Sequence, residues 1–207
     1  MKAFIYTGGE ICADFITERP EDEDLILCAD AGYRTAISLG VTPQIALGDF
    51  DSMSEDLLPP TVTRYTFPSQ KDETDTQLAI QYALSKGARE LVIIGGLGGR
   101  LDHTLANLSL LEDLDARGCH ALMTDGFNRA RFLRNNSTLI PRSQFRYFSL
   151  IAADPVVKGV SIEGGKYPLK NARLVRTGNS LTVSNEIVGN CALIDVRRGG
   201  VWILESR

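Results

Sequence analysis

Histidine, paired cysteine and the familiar nucleotide signatures are what this chain lacks. Only two histidines occur in 207 residues, His103 and His120. Its four cysteines (Cys12, Cys28, Cys119, Cys191) are widely spaced, with no CxxC among them. That gives no support to a Cys/His zinc cluster. It reads as reduced, mostly buried thiols in a cytoplasmic protein. No GxxxxGKS/T string is present, so there is no Walker-type phosphate loop, and without a GxSxG a serine hydrolase has no support. No apolar run approaches the length that crosses a membrane. The opening run from Met1 to Tyr6 is too short for a signal peptide. Lysine and arginine number 22 against 26 acids, a net charge of -4, so no basic excess advertises a nucleic-acid partner. Pro- or Ser-rich linkers and internal repeats are missing as well.

What is present suits one large domain or two small ones, and a 43% hydrophobic content is enough for a real core. In the first half, short apolar runs alternate with helical patterns. Strands are predicted at Ala3–Tyr6, Leu25–Cys28, Ile45–Leu47, Arg64–Phe67, Leu91–Ile94 and Ala121–Met123. Helices are predicted at Tyr33–Leu39, Asp75–Lys86 and Asp102–Arg117, each stopped by a glycine (Gly40, Gly87, Gly118). In the last of these, Leu105, Leu108, Leu111 and Leu114 are assigned to the inward face. Such alternation implies an α/β fold with a mostly parallel sheet flanked by helices. After about Asp125 the texture changes to short Val/Ile/Leu runs: Ser149–Ala152, Val156–Ile162, Leu174–Val175, Leu181–Val183, Cys191–Val196 and Val201–Leu204. Turn-formers separate them, which predicts a smaller all-β sandwich or barrel. The division is placed at 1–126 and 127–207.

In open parallel sheets, ligands bind beyond the carboxyl ends of the strands. Charged and bare-backbone loops stand there in this chain: Asp30; Gly48-Asp49-Phe50-Asp51-Ser52; Lys71-Asp72-Glu73-Thr74-Asp75; and Gly95-Gly96-Leu97-Gly98-Gly99-Arg100-Leu101-Asp102. Four strand ends thus converge on one edge. Asp49 and Asp51 are the sharpest signal. Two carboxylates two residues apart repel unless a cation sits between them. A turn at Gly48 would swing both onto a hard divalent ion, most simply magnesium. The competing reading is an Asx turn with two solvated acids. Asp75 and Asp102 are equally plain as helix caps. Lys71 and Arg100 are counter-charges of the kind that hold phosphates. The glycine run nearly matches GxGxxG, but Leu101 takes the third glycine position, so the dinucleotide signature fails. What remains is a loop, including Gly98 and Gly99, that leads into a helix amino terminus suited to an anion, with a simple tight turn as the alternative. His103, one residue into that helix, reads on its own as a structural hydrogen-bonder. In the second half, Ser184 and Asn185 could hydrogen-bond a heterocycle or merely end a strand. Tyr167 and Trp202 could stack on an aromatic ligand, with core packing the default for Trp202.

In this order the motifs resemble thiamine pyrophosphokinases of the bacterial type. The matching strings are Ala29-Asp30-Ala31-Gly32, Gly48 to Ser52, Lys71 to Asp75, Gly99-Arg100-Leu101-Asp102-His103 with Asn107 downstream, and Ser184-Asn185. They span most of the chain. Ala31 departs from the pattern, which more often has glycine there. The resemblance implies a homodimer with thiamine sites between subunits, and a reaction in which ATP and thiamine give AMP and thiamine diphosphate. It implies magnesium held by Asp49, Asp51 and Asp75, with Asp72 completing the acidic set. Lys71 and Arg100 would offset phosphate charge. Asp30, Gly98, Gly99, Arg100, Asp102 and His103 would form the nucleotide pocket. Tyr167, Ser184 and Asn185 would contact thiamine. The domains become a nucleotide-binding catalytic 1–126 and a thiamine-binding 127–207. No nucleic-acid or membrane partner is implied. Two rivals remain: a metal-dependent Asp-x-Asp nucleotide-sugar transferase, for which the chain is short, and a non-catalytic thiamine or nucleotide sensor.

Overall fold

A computed structural model describes residues 1–50, 58–67, 73–177 and 180–207. The chain divides into two compact units, Met1–Gly126 and Phe127–Arg207.

In the first unit, six strands lie in one parallel sheet: β1 (Lys2–Tyr6), β2 (Leu25–Ala29), β3 (Ile45–Gly48), β4 (Thr63–Thr66), β5 (Glu90–Ile94) and β6 (His120–Thr124), in the order β4-β3-β2-β1-β5-β6. The central strands are almost continuously apolar, as a sheet covered on both faces requires. Ala3, Phe4, Ile5 and Tyr6 are fully buried. β4 is the opposite case. It is exposed at every position and stands at the sheet's edge, which its polar Thr-Arg-Tyr-Thr sequence tolerates. Three helices, α1 (Gly32–Ser38), α2 (Asp75–Ser85) and α3 (Leu101–Ala116), match the predicted ones to within a residue or so. Their closing glycines take the left-handed conformation.

The inward face of α3 differs from the sequence reading. Leu111 and Leu114 are buried, but Leu105 is 59% exposed, and Asn107 takes the inner position instead. Leucines recurring every third residue drift around a helix of 3.6 residues per turn. Leu105 and Leu114, nine residues apart, end up about half a turn out of phase.

The second unit is all β. Its strands are β7 (Asn128–Arg134), β8 (Ser137–Pro141), β9 (Tyr147–Ala152), β10 (Val156–Glu163), β11 (Leu169–Val175), β12 (Cys191–Arg198) and β13 (Gly200–Ser206). β13 pairs antiparallel with both β7 and β9, and a second antiparallel sheet runs β11-β10-β12-β8. Alternating inward residues from both sheets (Leu150, Val157, Ile162, Ile194, Ile203 and others) share one apolar core. β7 and β8 escaped the sequence reading. In β7 the inward alternation is hidden by arginines: Arg129 and Arg131 flank the buried Glu205 of β13, at 3.6 and 2.7 Å. The run Leu181–Val183, read as a strand, is a turn with Leu181 and Val183 exposed. Among the described residues no helix is long and apolar enough to cross a membrane.

The thiols are half buried rather than mostly so. Cys28 and Cys119 lie inside, while Cys12 and Cys191 are exposed, and all four are free. Burial, helped by the nearby Asp30 charge, pushes the Cys28 thiol up to about 12, so it stays protonated and unreactive at neutral pH. A disulfide-exchange reagent at pH 8 should therefore titrate two thiols rapidly in the native protein and four in urea. Rapid reaction of all four without denaturant would contradict this burial.

Candidate active site

Strand order reverses between β1 and β5: the chain builds outward through β2, β3 and β4, then returns to the other side of β1. Helices on either side of such a reversal pack on opposite faces and leave a crevice above the strand ends. A cleft of ≈ 620 Å³ lies there, lined from five separate strand ends.

The two strands at the reversal meet through bare backbone. A side chain on Gly9 would collide with the Gly95 carbonyl oxygen, and one on Gly98 would stand 2.5 Å from that of Glu10. A Cβ on Gly95 would stand 2.9 Å from the Thr7 carbonyl oxygen on the other side, and Thr7 donates through its amide (2.9 Å) and hydroxyl (3.2 Å) to the Ile94 carbonyl. α3 pins the glycine loop from beneath. The Asn107 amide donates to the Gly96 carbonyl at 2.9 Å, and the Thr104 hydroxyl to that of Leu97 at 2.9 Å.

Two further strand ends are held in unusual backbone. Asp30, just past β2, has φ 45°. Phe50, between the two carboxylates of the Asp-x-Asp string, has φ 56°. Left-handed geometry in a bulky residue costs of order 1–3 kcal/mol and persists only where packing enforces it. Here Phe50 is 6% exposed, with the Arg64 guanidinium 5.1 Å from its ring centre. The change of hand at this turn therefore falls on Phe50, two residues after Gly48. Gly48 has its own task. It lets β3 close on Asp30, whose Cα and Cβ lie 3.2 Å from where a Gly48 Cβ would stand.

Of the residues singled out in the sequence, Asp30, Asp49, Asp75, Gly98, Gly99, Arg100 and His103 all line this cleft. Asp75 opens α2, where the Thr74 hydroxyl caps the helix by accepting the Gln77 amide at 3.2 Å. Asp51, Lys71 and Asp72 lie outside the described residues. Asp102 is not in the cleft lining. Its carboxylate takes a fork of bonds from Arg100 (2.6 and 3.1 Å) on the open surface. That bond holds the Asp102 carboxyl below its usual range and raises Arg100. The lining also includes residues that the sequence reading passed over: Thr7, Gly8, Gly9, Glu10 and Thr76. The signal for the first four was available, since Gly8-Gly9-Glu10 follows an apolar strand just as the other loops do.

The cleft is strongly acidic. Glu10, Asp30, Asp49, Glu73 and Asp75 line it beside one arginine. Among the described residues no three potential ligands stand together as a ready metal cage. Asp49 and Asp75 nonetheless share the cleft, and oxygen donors of this kind are the chemistry that suits a hard divalent cation.

In the second unit, Tyr167 is 57% exposed, whereas Asn185 is 2% exposed. Ser184 is exposed and left-handed (φ 60°), its amide donating to the Ser149 hydroxyl at 3.0 Å. Trp202 is half buried, edge-on to Phe132 with ring centres 6.1 Å apart.

Comparison with known proteins gives a consistent result. A family model described as "Thiamin pyrophosphokinase, catalytic domain" matches residues 17–123, and one for the "vitamin B1 binding domain" of the same family matches residues 137–201. The chain is 28% identical over 196 residues to a thiamine pyrophosphokinase of Bacillus subtilis, covering 92% of this chain and 91% of that one. The crystal structure of a B. subtilis thiamine pyrophosphokinase superposes with a TM-score of 0.89 at 28% identity, covering 100% and 99% of the two chains. One from Geobacillus thermodenitrificans gives 0.86 at 26%, covering 100% and 98%.

The anchoring of the glycine loop is open to direct measurement. Asn107→Ala would leave the buried Gly96 carbonyl without its donor, a loss of about 1–3 kcal/mol. The midpoint of urea unfolding should fall accordingly. An unchanged midpoint would mean that Asn107 does not hold the loop.

Proposed function

The chain belongs to the thiamin pyrophosphokinase family, a family of enzymes, and from that premise we propose that it transfers the pyrophosphoryl group of ATP to the hydroxyl of thiamine. The products are thiamine diphosphate and AMP. The thiamine oxygen forms a bond to the β-phosphorus, and the bond from that phosphorus to the oxygen bridging the α-phosphate breaks. The hydroxyl proton leaves to a nearby carboxylate or to water. The observation that carries this reading is the cleft at the strand-order reversal, where five loops bring acids, an arginine and bare backbone to one place.

Transfer of this kind is mostly positioning and charge neutralisation. ATP would lie over the glycine loops, with the phosphates near the amide-rich start of α3, where the backbone dipole favours an anion. Gly98 and Gly99 offer backbone without side chains. Asp30 and His103 would shape the nucleotide pocket, with Asp102 holding Arg100 at its edge. Arg100 and Lys71 would offset charge on the transferred group and on the departing AMP. Magnesium would be held by Asp49, Asp51 and Asp75, with Asp72 completing the set, and it supplies neutralisation of phosphate charge when bound. In the second unit, Tyr167, Ser184 and Asn185 would form the thiamine site. The acidic cleft also suits the cationic thiazolium ring.

The reading includes a homodimer with thiamine sites between subunits. Leu101 and Leu105 on α3, 70% and 59% exposed, are the kind of surface that a second copy would cover. Four free thiols support a reducing, cytoplasmic setting.

The test is turnover by purified protein with ATP, magnesium and thiamine, following the nucleotide product. AMP should appear in step with thiamine diphosphate. Release of ADP would mean an ordinary kinase, and no nucleotide consumption would mean a sensor. Asp75→Asn should lower kcat by about 10²–10³-fold while leaving the thermal midpoint within a few degrees, as expected for lost charge stabilisation at the reacting phosphates. Wild-type rates from that variant would remove Asp75 from the metal set.

A further inference from the structure

We infer that Asn185 is a positioning residue: its buried carboxamide fixes the backbone of Tyr167, and it acts on thiamine only through that ring. The inference rests on the reading that Tyr167 faces thiamine.

An asparagine side chain offers two donor hydrogens and one oxygen with two acceptor sites. In Asn185 three of these four are spent within the protein. Its Nδ2 donates to the Tyr167 carbonyl at 2.8 Å. Its Oδ1 accepts the Tyr167 amide at 2.9 Å and the Glu186 amide at 2.9 Å. The carboxamide thus imitates a neighbouring strand, taking both backbone groups of one residue. The residue is 2% exposed, so its remaining hydrogen has almost no access to a ligand.

Everything around this clamp favours rigidity. The Asn185 main chain exchanges two hydrogen bonds with Phe148, at 2.8 and 2.9 Å, and Phe148 sits in the sandwich core. Gly165 makes room: a Cβ there would lie 3.0 and 3.1 Å from the two amide atoms of Asn185. On the next residue, the Lys166 amide donates to the Glu186 carbonyl at 2.8 Å, and its ammonium pairs with the Glu186 carboxylate at 2.8 Å. A chain of contacts therefore runs from core to Phe148, to Asn185, to Tyr167. It ends at a ring that is itself 57% exposed. An exposed ring on a fixed backbone presents a stacking face at low entropic cost.

The experiment is a double-mutant cycle on the full-length enzyme, with KM for thiamine and for ATP measured by AMP release. The variants are Asn185→Ala, Tyr167→Ala and the two combined. Asn185→Ala should raise the thiamine KM by roughly 2–10-fold, the worth of one aromatic contact. The ATP KM should stay within error, and the double variant should be no worse than Tyr167→Ala alone. Asn185→Asp keeps both acceptor bonds but sets a carboxylate oxygen against the Tyr167 carbonyl, so it should raise the same KM at least as much, and a cooperative urea transition in each variant guards against a folding failure. Losses that multiply in the double variant would mean that Asn185 touches thiamine itself and would overturn the inference. So would an equal rise in both KM values, which marks a general structural role. An effect of Tyr167→Ala with none from Asn185→Ala or Asn185→Asp would overturn this inference alone. A thiamine KM untouched by Tyr167→Ala would overturn the reading of Tyr167 beneath it.

Discussion

The cleft depends on backbone meeting backbone where the strand order reverses. Gly9 against Gly95, and Gly98 against Glu10, are approaches that no side chain would permit. They let the loops after β1 and β5 close like two sides of a seam. The remaining strand ends are then brought to the rim by ordinary parallel-sheet geometry. Close packing of this kind recurs one layer down. Gly32 lets α1 sit directly on the Tyr6 carbonyl, and Thr35 donates its hydroxyl to the Thr7 carbonyl at 2.8 Å. Ala31 fits the same logic. A Cβ on Gly8 would stand 2.8 Å from the Ala31 methyl, so the space that one residue gives up the other occupies.

Strain is the second ingredient, and two of the left-handed residues that are not glycine stand at the rim. Asp30 and Phe50 are both left-handed without being glycine, on adjacent strands. Each stays that way because something buried holds it. The Asp30 amide donates to the Leu47 carbonyl at 2.8 Å, and the Phe50 ring is packed inside. A backbone forced into this shape holds the Cα positions of Asp30 and Asp49 more firmly than a free loop would. That is the physical sense in which the site is prepared before any ligand arrives.

Much of this was legible in the sequence, and the limits were physical. Buried parallel strands announce themselves as apolar runs, so β1, β2, β3 and β5 were found nearly to the residue. Helix ends carried glycine stops. The acids after the strands pointed to the edge of the sheet where the cleft lies, because that edge follows from topology alone. β7 was missed because its inward positions include Arg129 and Arg131, whose burial is made tolerable by Glu205 seventy-odd residues away. Only tertiary pairing reveals that. The orientation of α3 was misjudged because four leucines outvoted one asparagine, yet Asn107 was the residue with a buried task. Asn185 shows the same limit. Sequence marks it as a candidate ligand contact, while only coordinates show its amide already committed to Tyr167.

Charge sets the last constraint. Five carboxylates on one cleft would repel a triphosphate, which carries several negative charges of its own. Arg100, forked onto Asp102 at the surface, cannot balance them alone. On the proposed reading, a crevice this acidic needs positive charge beyond that of Arg100 and Lys71, entering together with the nucleotide. A divalent ion bound to the phosphates would meet this need, and so, at the other reactant, would the thiazolium cation. On the proposed reading, the cleft therefore selects the neutralised form of one substrate and the cationic form of the other. A site lined instead by lysine and arginine would grip the bare nucleotide more strongly but would repel thiamine.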